Sequence, residues 1–219
     1  MTEYFQKKLF YNISLDEYKH LMSCLSAREK HFLSGETICT YDGDFRSIGI
    51  LGKGEALVVR YEINGARTIL ERLEPQDIFG HLMSYQKNPI NGVSVVCDQP
   101  CDVLFINYDG ISQPCIKACS YHHQLIQNML NLISEKAMSL SARVEVLSQR
   151  TIREKLICFF LQIAGRENST SFKLPFTMVD LADYLSIDRS AMTRELKHMK
   201  NEGLLDIDRK NIRLHLDCV

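Results

Sequence analysis

The sequence predicts an α+β chain, and three observations carry that prediction. Between Arg28 and Asn107, short alternations of apolar and polar residues are separated by turn residues, which is how antiparallel strands read. From Cys119 to Leu147 one narrow apolar stripe recurs at alternating steps of 4 and 3, as on a single long helix. From Thr177 to Leu216, two short amphipathic patterns joined by a tight turn are followed by an alternating hairpin.

Composition bounds the rest. With 219 residues, 45 % hydrophobic and 24 % charged, the chain is long enough for two modest domains with separate cores. No apolar run approaches the ~20 residues needed to cross a bilayer. The start, MTEYFQKKLFYN, has no signal-peptide core. A cytoplasmic protein with no membrane partner is expected, and its 8 cysteines should be mostly reduced. None falls in a close CxxC pair, so neither a zinc ribbon nor a thioredoxin-like centre is supported. A Gly-rich phosphate loop, a GxSxG elbow, an HExxH helix and a plausible triad order are all missing, which speaks against an enzyme. Net charge is −1, divided as +2 over residues 148–219 and −3 before them. Any affinity for nucleic acid therefore has to come from local arrangement.

Taken in order, Ser14 before Leu15, Asp16 and Glu17 starts a capped helix whose Leu21, Met22 and Leu25 pack on the strand region after it. That region is punctuated at Gly35-Glu36, Tyr41 to Asp44, Gly52-Lys53-Gly54, Asn64-Gly65 and Glu74-Pro75, which favours an antiparallel sandwich or barrel. Asn64-Gly65 predicts a type I′ hairpin between Ala56–Tyr61 and Thr68–Leu73. Two further strands, Val93–Cys97 and Val103–Asn107, come after a polar excursion.

The long helix carries Cys119, His123, Ile126, Leu130, Ile133, Ala137, Leu140, Val144 and Leu147 on one seam. A stripe that narrow on a helix that long is a coiled-coil pattern, and it predicts a parallel homodimer about a two-fold axis. A helix buried in a single-chain bundle is the alternative, with a wider stripe expected. Thr151 then caps a helix with Ile152, Leu156, Phe159, Phe160 and Ile163 as core, and Gly165–Ser171 reads as a polar loop.

The last stretch is the most informative. Thr177 and Asp180 open a helix that buries Leu181, Ala182 and Leu185; Ser186 and Ile187 make the turn. Asp188 caps a second helix with Met192, Leu196 and Met199 on its apolar side, stopped by Gly203. Its other side carries Arg189, Ser190, Thr193, Arg194 and Lys197. A short helix with one apolar and one Arg-rich side, cradled by a preceding helix, suits the major groove. A solvated face on an ordinary helix pair is the competing reading. Leu205, Ile207, Ile212, Leu214 and Leu216 alternate around a basic turn at Arg209, Lys210 and Asn211, and a hairpin in that position is a wing able to touch phosphates.

The order of these parts resembles the Crp/Fnr family of bacterial transcription regulators over essentially the whole chain. The anchors are Gly35-Glu36 with Gly43-Asp44, the run Leu73-Glu74-Pro75-Gln76-Asp77-Ile78-Phe79-Gly80, the run from Arg150 to Leu156, and Leu181–Leu185 through Asp188–Leu196. The resemblance implies an amino-terminal double-stranded β-helix, jelly-roll-like, over residues 1–111 as effector domain. It implies a dimerisation helix over 112–147 and a winged helix-turn-helix over 148–219. It further implies a palindromic double-stranded DNA operator, RNA polymerase as a partner, and allosteric control. By it, Arg189, Ser190 and Arg194 fall on base-reading positions, with Thr193 and Lys197 nearer the backbone. Where Ser190 stands, well-known members carry a Glu that accepts from cytosine, so their half-site does not carry over.

The same resemblance places an effector pocket around Phe79, Gly80, His81, Leu82, Asn91, Gly92 and Val93. Cyclic-nucleotide sensors supply a Glu after Phe-Gly and then an Arg-Ser pair for the cyclic phosphate. Here His81 comes after Gly80, and SYQKNPINGV over 84–93 contains no Arg, leaving Lys87 as the nearby cation. An unmatched buried phosphate costs several kcal/mol, which speaks against cyclic AMP and leaves the small-molecule effector unknown. A cyclic-nucleotide-binding module without DNA function stays open as a rival. So does a metal, haem or redox sensor: Cys115, Cys119, His122 and His123 lie at i, i+4, i+7 and i+8, with Cys97 and Cys101 a strand away. Packing on the seam accounts for Cys119 and His123 equally well.

Overall fold

A computed structural model describes residues 8–41, 47–62, 65–80, 92–112 and 120–215. A 3-10 turn at Lys8–Phe10 leads into α1, Leu15–Cys24, where Ser14 and Glu17 form a reciprocal capping box. The strands of the roll are β1 Arg28–Phe32, β2 Thr37–Thr40, β3 Ser47–Lys53, β4 Ala56–Tyr61, β5 Arg67–Leu73, β6 Ile78–Phe79, β7 Val93–Cys97 and β8 Cys101–Asn107. They build two 4-stranded antiparallel sheets, ordered β1-β8-β3-β6 and β2-β7-β4-β5. Apart from the β4–β5 hairpin, the chain crosses to the other sheet at each step, which is the jelly-roll arrangement expected.

The core explains the strand composition. Ile38, Leu51, Val58, Leu73, Phe79, Val95 and Val103 fill the space between the sheets. The outer face of the first sheet is covered too: Ile48, Ile50, Leu104 and Ile106 pack against Leu9, Phe10, Tyr18 and Leu21 and against Leu125, Met129 and Leu132 of the long helix. A sheet buried on both faces loses its alternation, hence the nearly unbroken apolar run of β3. Gly49 leaves room there for the ring of Phe79, since a Cβ on it would sit 2.1 Å from the ring's Cζ.

The β4–β5 hairpin exists but closes differently from the two-residue turn expected. The ladder continues past Tyr61↔Arg67 to Glu62, whose N–H donates to the Ala66 carbonyl at 2.9 Å. Gly65, at φ 81°, donates from its N–H back to the Glu62 carbonyl at 2.9 Å. The glycine supplies the left-handed backbone at the end of that loop. Asn64 lies outside the described residues.

Beyond the roll run α2 Tyr108–Ser112, α3 Ser120–Leu147, α4 Ile152–Glu167, β9 Ser171–Lys173, α5 Met178–Leu185, α6 Arg189–Asn201, β10 Leu205–Asp208 and β11 Asn211–Leu214. The polar stretch expected as a loop from Gly165 begins inside α4. That helix stops only at Asn168, which takes the left-handed conformation at φ 48°, and Ser171 already opens β9. The chain forms two compact units, Met1–Lys136 and Ala137–Val219. Among the described residues no helix is long and apolar enough to cross a membrane.

Candidate nucleic-acid interface

The helix pair is set by its caps. Thr177 receives the Asp180 N–H on its Oγ1 at 3.1 Å and donates to the Asp180 carboxylate at 2.6 Å, so α5 starts there. Leu181, Ala182 and Leu185 are buried, and Ser186 at φ 53° ends the helix. Asp188 then caps α6 by accepting from Ala191 N–H at 2.8 Å. Met192, Leu196 and Met199 are buried beneath α6, and Gly203 at φ 76° lets the chain turn into the hairpin.

With that side committed to the core, Arg189, Ser190, Thr193, Arg194 and Lys197 all stand exposed on the opposite side. The Thr193 hydroxyl donates to the Arg189 carbonyl at 2.9 Å, and Arg194 Nε lies 3.4 Å from the Ser190 carbonyl. Glu195 within α6 and Glu202 at its end turn the other way. Arg153 of α4 donates from Nε to Glu195 at 2.6 Å and from both Nη atoms to Glu202 at 2.7 and 2.9 Å. Those bonds hold the Glu202 carboxyl below its ordinary range. The clamp leaves the outward face of α6 dominated by cations.

β10 and β11 pair with Asp208 opposite Asn211, which puts Arg209, at φ 55°, and Lys210 at the tip. A third strand, β9, adds to β11 in register Ile212↔Phe172. Sequence reasoning missed β9, because SFK is too short for a period of two to register. Its one buried residue, Phe172, was the available signal. Leu216 lies outside the described residues. Beneath the wing and helices, Phe159, Phe160, Phe172, Phe176 and Tyr184 form a continuous set of ring contacts, with Phe176 stacked on Tyr184 at 4.6 Å.

In the roll, Phe79 is buried edge-on to Phe105 with ring centroids 6.2 Å apart, and Val93 is buried beside the same core. Gly80, at φ 80°, donates its N–H to the Tyr41 hydroxyl at 3.2 Å; burial pushes that phenol's pKa up, so it stays protonated. Gly92 also takes positive φ, at 79°. His81, Leu82, Lys87 and Asn91 lie outside the described residues. One cation the sequence did not point to reaches this unit: Lys136 of α3 pairs with Glu71 of β5, its side chain only 13 % exposed. A separation of 65 residues leaves no local pattern to read.

Along α3 two faces separate cleanly. Leu125, Met129 and Leu132 are buried on the roll. Ile126, Leu130, Ile133, Leu140 and Val144 are 40, 58, 38, 50 and 62 % exposed, with Ala137 exposed and Leu147 half-buried. Of the cysteine and histidine set, Cys115 and Cys119 lie outside the described residues. His122 is buried and donates from Nε2 to the Gly110 carbonyl at 3.1 Å, while its Nδ1 is buried with no hydrogen-bond partner among the described residues. His123 is exposed, with Nε2 3.0 Å from the Gln127 amide. No cluster of three metal-ligating side chains occurs among the described residues.

Comparison with known proteins agrees with this architecture. Residues 29–116 match the cyclic nucleotide-binding domain family, and residues 154–216 match the Crp-like helix-turn-helix domain family. The transcriptional activator protein FnrA of Stutzerimonas stutzeri is 20 % identical over 198 residues, spanning 88 % of this chain and 78 % of its own. Electron transport regulator A of Shewanella oneidensis is 24 % identical over 198 residues, spanning 84 % and 70 %. The solved structure of FixK2 from Bradyrhizobium japonicum superposes with a TM-score of 0.65 at 18 % identity, covering 86 % of this chain and 92 % of that one. The two sequence relatives are named as a transcriptional activator and a regulator, not as enzymes. With both domain families matched in order and two regulators aligned across them over 78 and 70 % of their own length, the chain belongs to the Crp/Fnr family of transcription regulators.

Proposed function

We propose that the protein is a homodimeric, sequence-specific regulator that reads a palindromic operator through α6 and answers to a small molecule in the roll. One observation carries the DNA reading: a capped helix whose Glu195 and Glu202 are drawn back to Arg153 while Arg189, Ser190, Thr193, Arg194 and Lys197 face outward. Guanidinium groups so placed reach guanine edges, and Lys197 and the Arg209-Lys210 tip suit phosphates, with Thr193 beside them. The exposed aliphatic stripe from Ile126 to Val144 supports pairing of two α3 helices, which sets two recognition helices about one helical turn of DNA apart. An effector that favours one arrangement of that seam shifts the population toward it. The missing arginine in the 84–93 segment argues for an effector other than cyclic AMP. Action in the cytoplasm alongside RNA polymerase accords with membership of the family.

A gel-shift titration with Arg194→Ala tests the reading. Specific binding should weaken far more than binding to random duplex, and equal loss on both counts against base readout.

A second reading keeps the DNA function and assigns sensing to Cys115, Cys119, His122 and His123. Its support is His122: with Nε2–H committed to a carbonyl, the buried Nδ1 lone pair is left to accept a proton donor or a metal. A colourless, metal-free preparation that still binds its operator eliminates it.

A further inference from the structure

We infer that Ser190 meets DNA only as a hydrogen-bond acceptor, that Asp188 imposes this, and that Ser190 therefore takes the exocyclic amine of a cytosine or an adenine. The inference rests on the reading of α6 as the base-reading helix and adds the chemistry of one position to it.

A serine hydroxyl has one proton to give and two lone pairs to receive with. At Ser190 the proton is already given, because Oγ donates to Asp188 Oδ1 at 2.6 Å, a short bond to a carboxylate. That carboxylate is not free to turn away, since the same Oδ1 accepts the Ala191 N–H at 2.8 Å as the cap of α6. These contacts, with Arg194 nearby, also hold the Asp188 carboxyl below its ordinary range, so it is ionised at neutral pH and has no proton to lend back. For Ser190 to donate to guanine N7 or O6, or to thymine O4, it would have to abandon a charged acceptor for a neutral one. Doing so would also strip a partner from the ionised Asp188 carboxylate. Receiving from cytosine N4 or adenine N6 demands no such exchange.

The neighbouring hydroxyl obeys the same rule. Thr193 gives its proton to the Arg189 carbonyl at 2.9 Å. Donation to the groove from this face thus falls to Arg189, Arg194 and Lys197, and acceptance falls to the two hydroxyls, of which Ser190 holds the base-reading position. Asp188 is a positioning residue in this scheme, acting through Ser190.

The experiment uses the full-length protein. Selection from randomised duplexes with wild type and Ser190→Ala first locates the base pair at which the substitution relaxes preference. At that pair, two kinds of duplex are compared: one lacking the exocyclic amine, with purine for adenine or pyrimidin-2-one for cytosine, and one lacking a purine N7. Deleting the amine should weaken wild type roughly tenfold beyond its effect on Ser190→Ala, the size of a single lost base contact. Deleting N7 should weaken both proteins equally. Asp188→Gly keeps a tolerated cap residue but frees the Ser190 proton, and should make binding newly sensitive to N7. An N7 loss that depends on Ser190 in the wild type overturns the inference, as does an Asp188→Gly protein with unchanged sensitivities or a Ser190→Ala protein that relaxes no position. Wild type that selects no sequence at all overturns the reading of α6 itself, and this inference with it.

Discussion

Arg143 of α3 lies over the ring of Tyr184 in α5, its guanidinium carbon 4.3 Å from the ring centroid, and donates from Nη2 to the Tyr184 carbonyl at 3.1 Å. One side chain thereby ties the last turns of the long helix to the first helix of the DNA-reading pair, through a face contact and a backbone bond at once.

Arg143→Ala should destabilise the carboxy-terminal unit by about 1–2 kcal/mol, from the lost cation–π contact and hydrogen bond. Arg143→Lys should recover only part of it, since an ammonium lacks the planar fork that stacks and donates together. Urea unfolding followed by tyrosine fluorescence reads both. An alanine variant as stable as wild type would show the contact to be incidental.

The Arg153 clamp predicts a pH dependence of definite sign. Glu202, held below its ordinary value of 4.5 chiefly by the Arg153 hydrogen bonds, contributes stability that is present above that value and lost as pH falls through the depressed one. Arg153→Ala should therefore lower the melting temperature at pH 7 and flatten its decline on acidification. Thermal scans from pH 7 to about 3 measure it, and parallel curves for the two proteins would count against the linkage.

Ile133→Glu changes a residue that is 38 % exposed in the single chain, so the fold of one protomer should survive. A charge on the seam should instead split the proposed dimer. Sedimentation velocity should show a monomer with unaltered circular dichroism, together with loss of tight binding to a two-half-site duplex. A stable dimer would place the pairing surface elsewhere.

Gly49→Ala should destabilise the roll by about 1–3 kcal/mol, because the new methyl meets the buried Phe79 ring head-on. Chemical denaturation checks this. A neutral outcome would mean that the ring tilts without cost.

Thiol labelling separates the cysteines. Burial raises Cys97 to about 12 and pushes Cys101 up as well, so both stay protonated and shielded near neutral pH, while Cys24 is exposed. Iodoacetamide at about pH 8 should modify Cys24 first and reach the Cys97 and Cys101 pair only on unfolding. Prompt labelling of Cys97 in the native protein, read by mass spectrometry, would contradict the burial argument.

What the sequence determined by itself was everything encoded locally. Caps at Ser14, Thr151, Thr177 and Asp188 announced four helices correctly, because a cap and its amide lie within three residues of each other. Periodicity separated the buried Met192, Leu196 and Met199 from the exposed Arg189, Arg194 and Lys197, since a helix fixes that geometry without outside help. Tertiary structure alone decided what depends on distant partners. It brought Lys136 to Glu71, Arg143 to Tyr184 and Arg153 to Glu195 and Glu202, pairs whose spacing along the chain obeys no period. It also placed β9 beside β11, because a three-residue strand has no stability of its own and forms only where another edge supplies its hydrogen bonds.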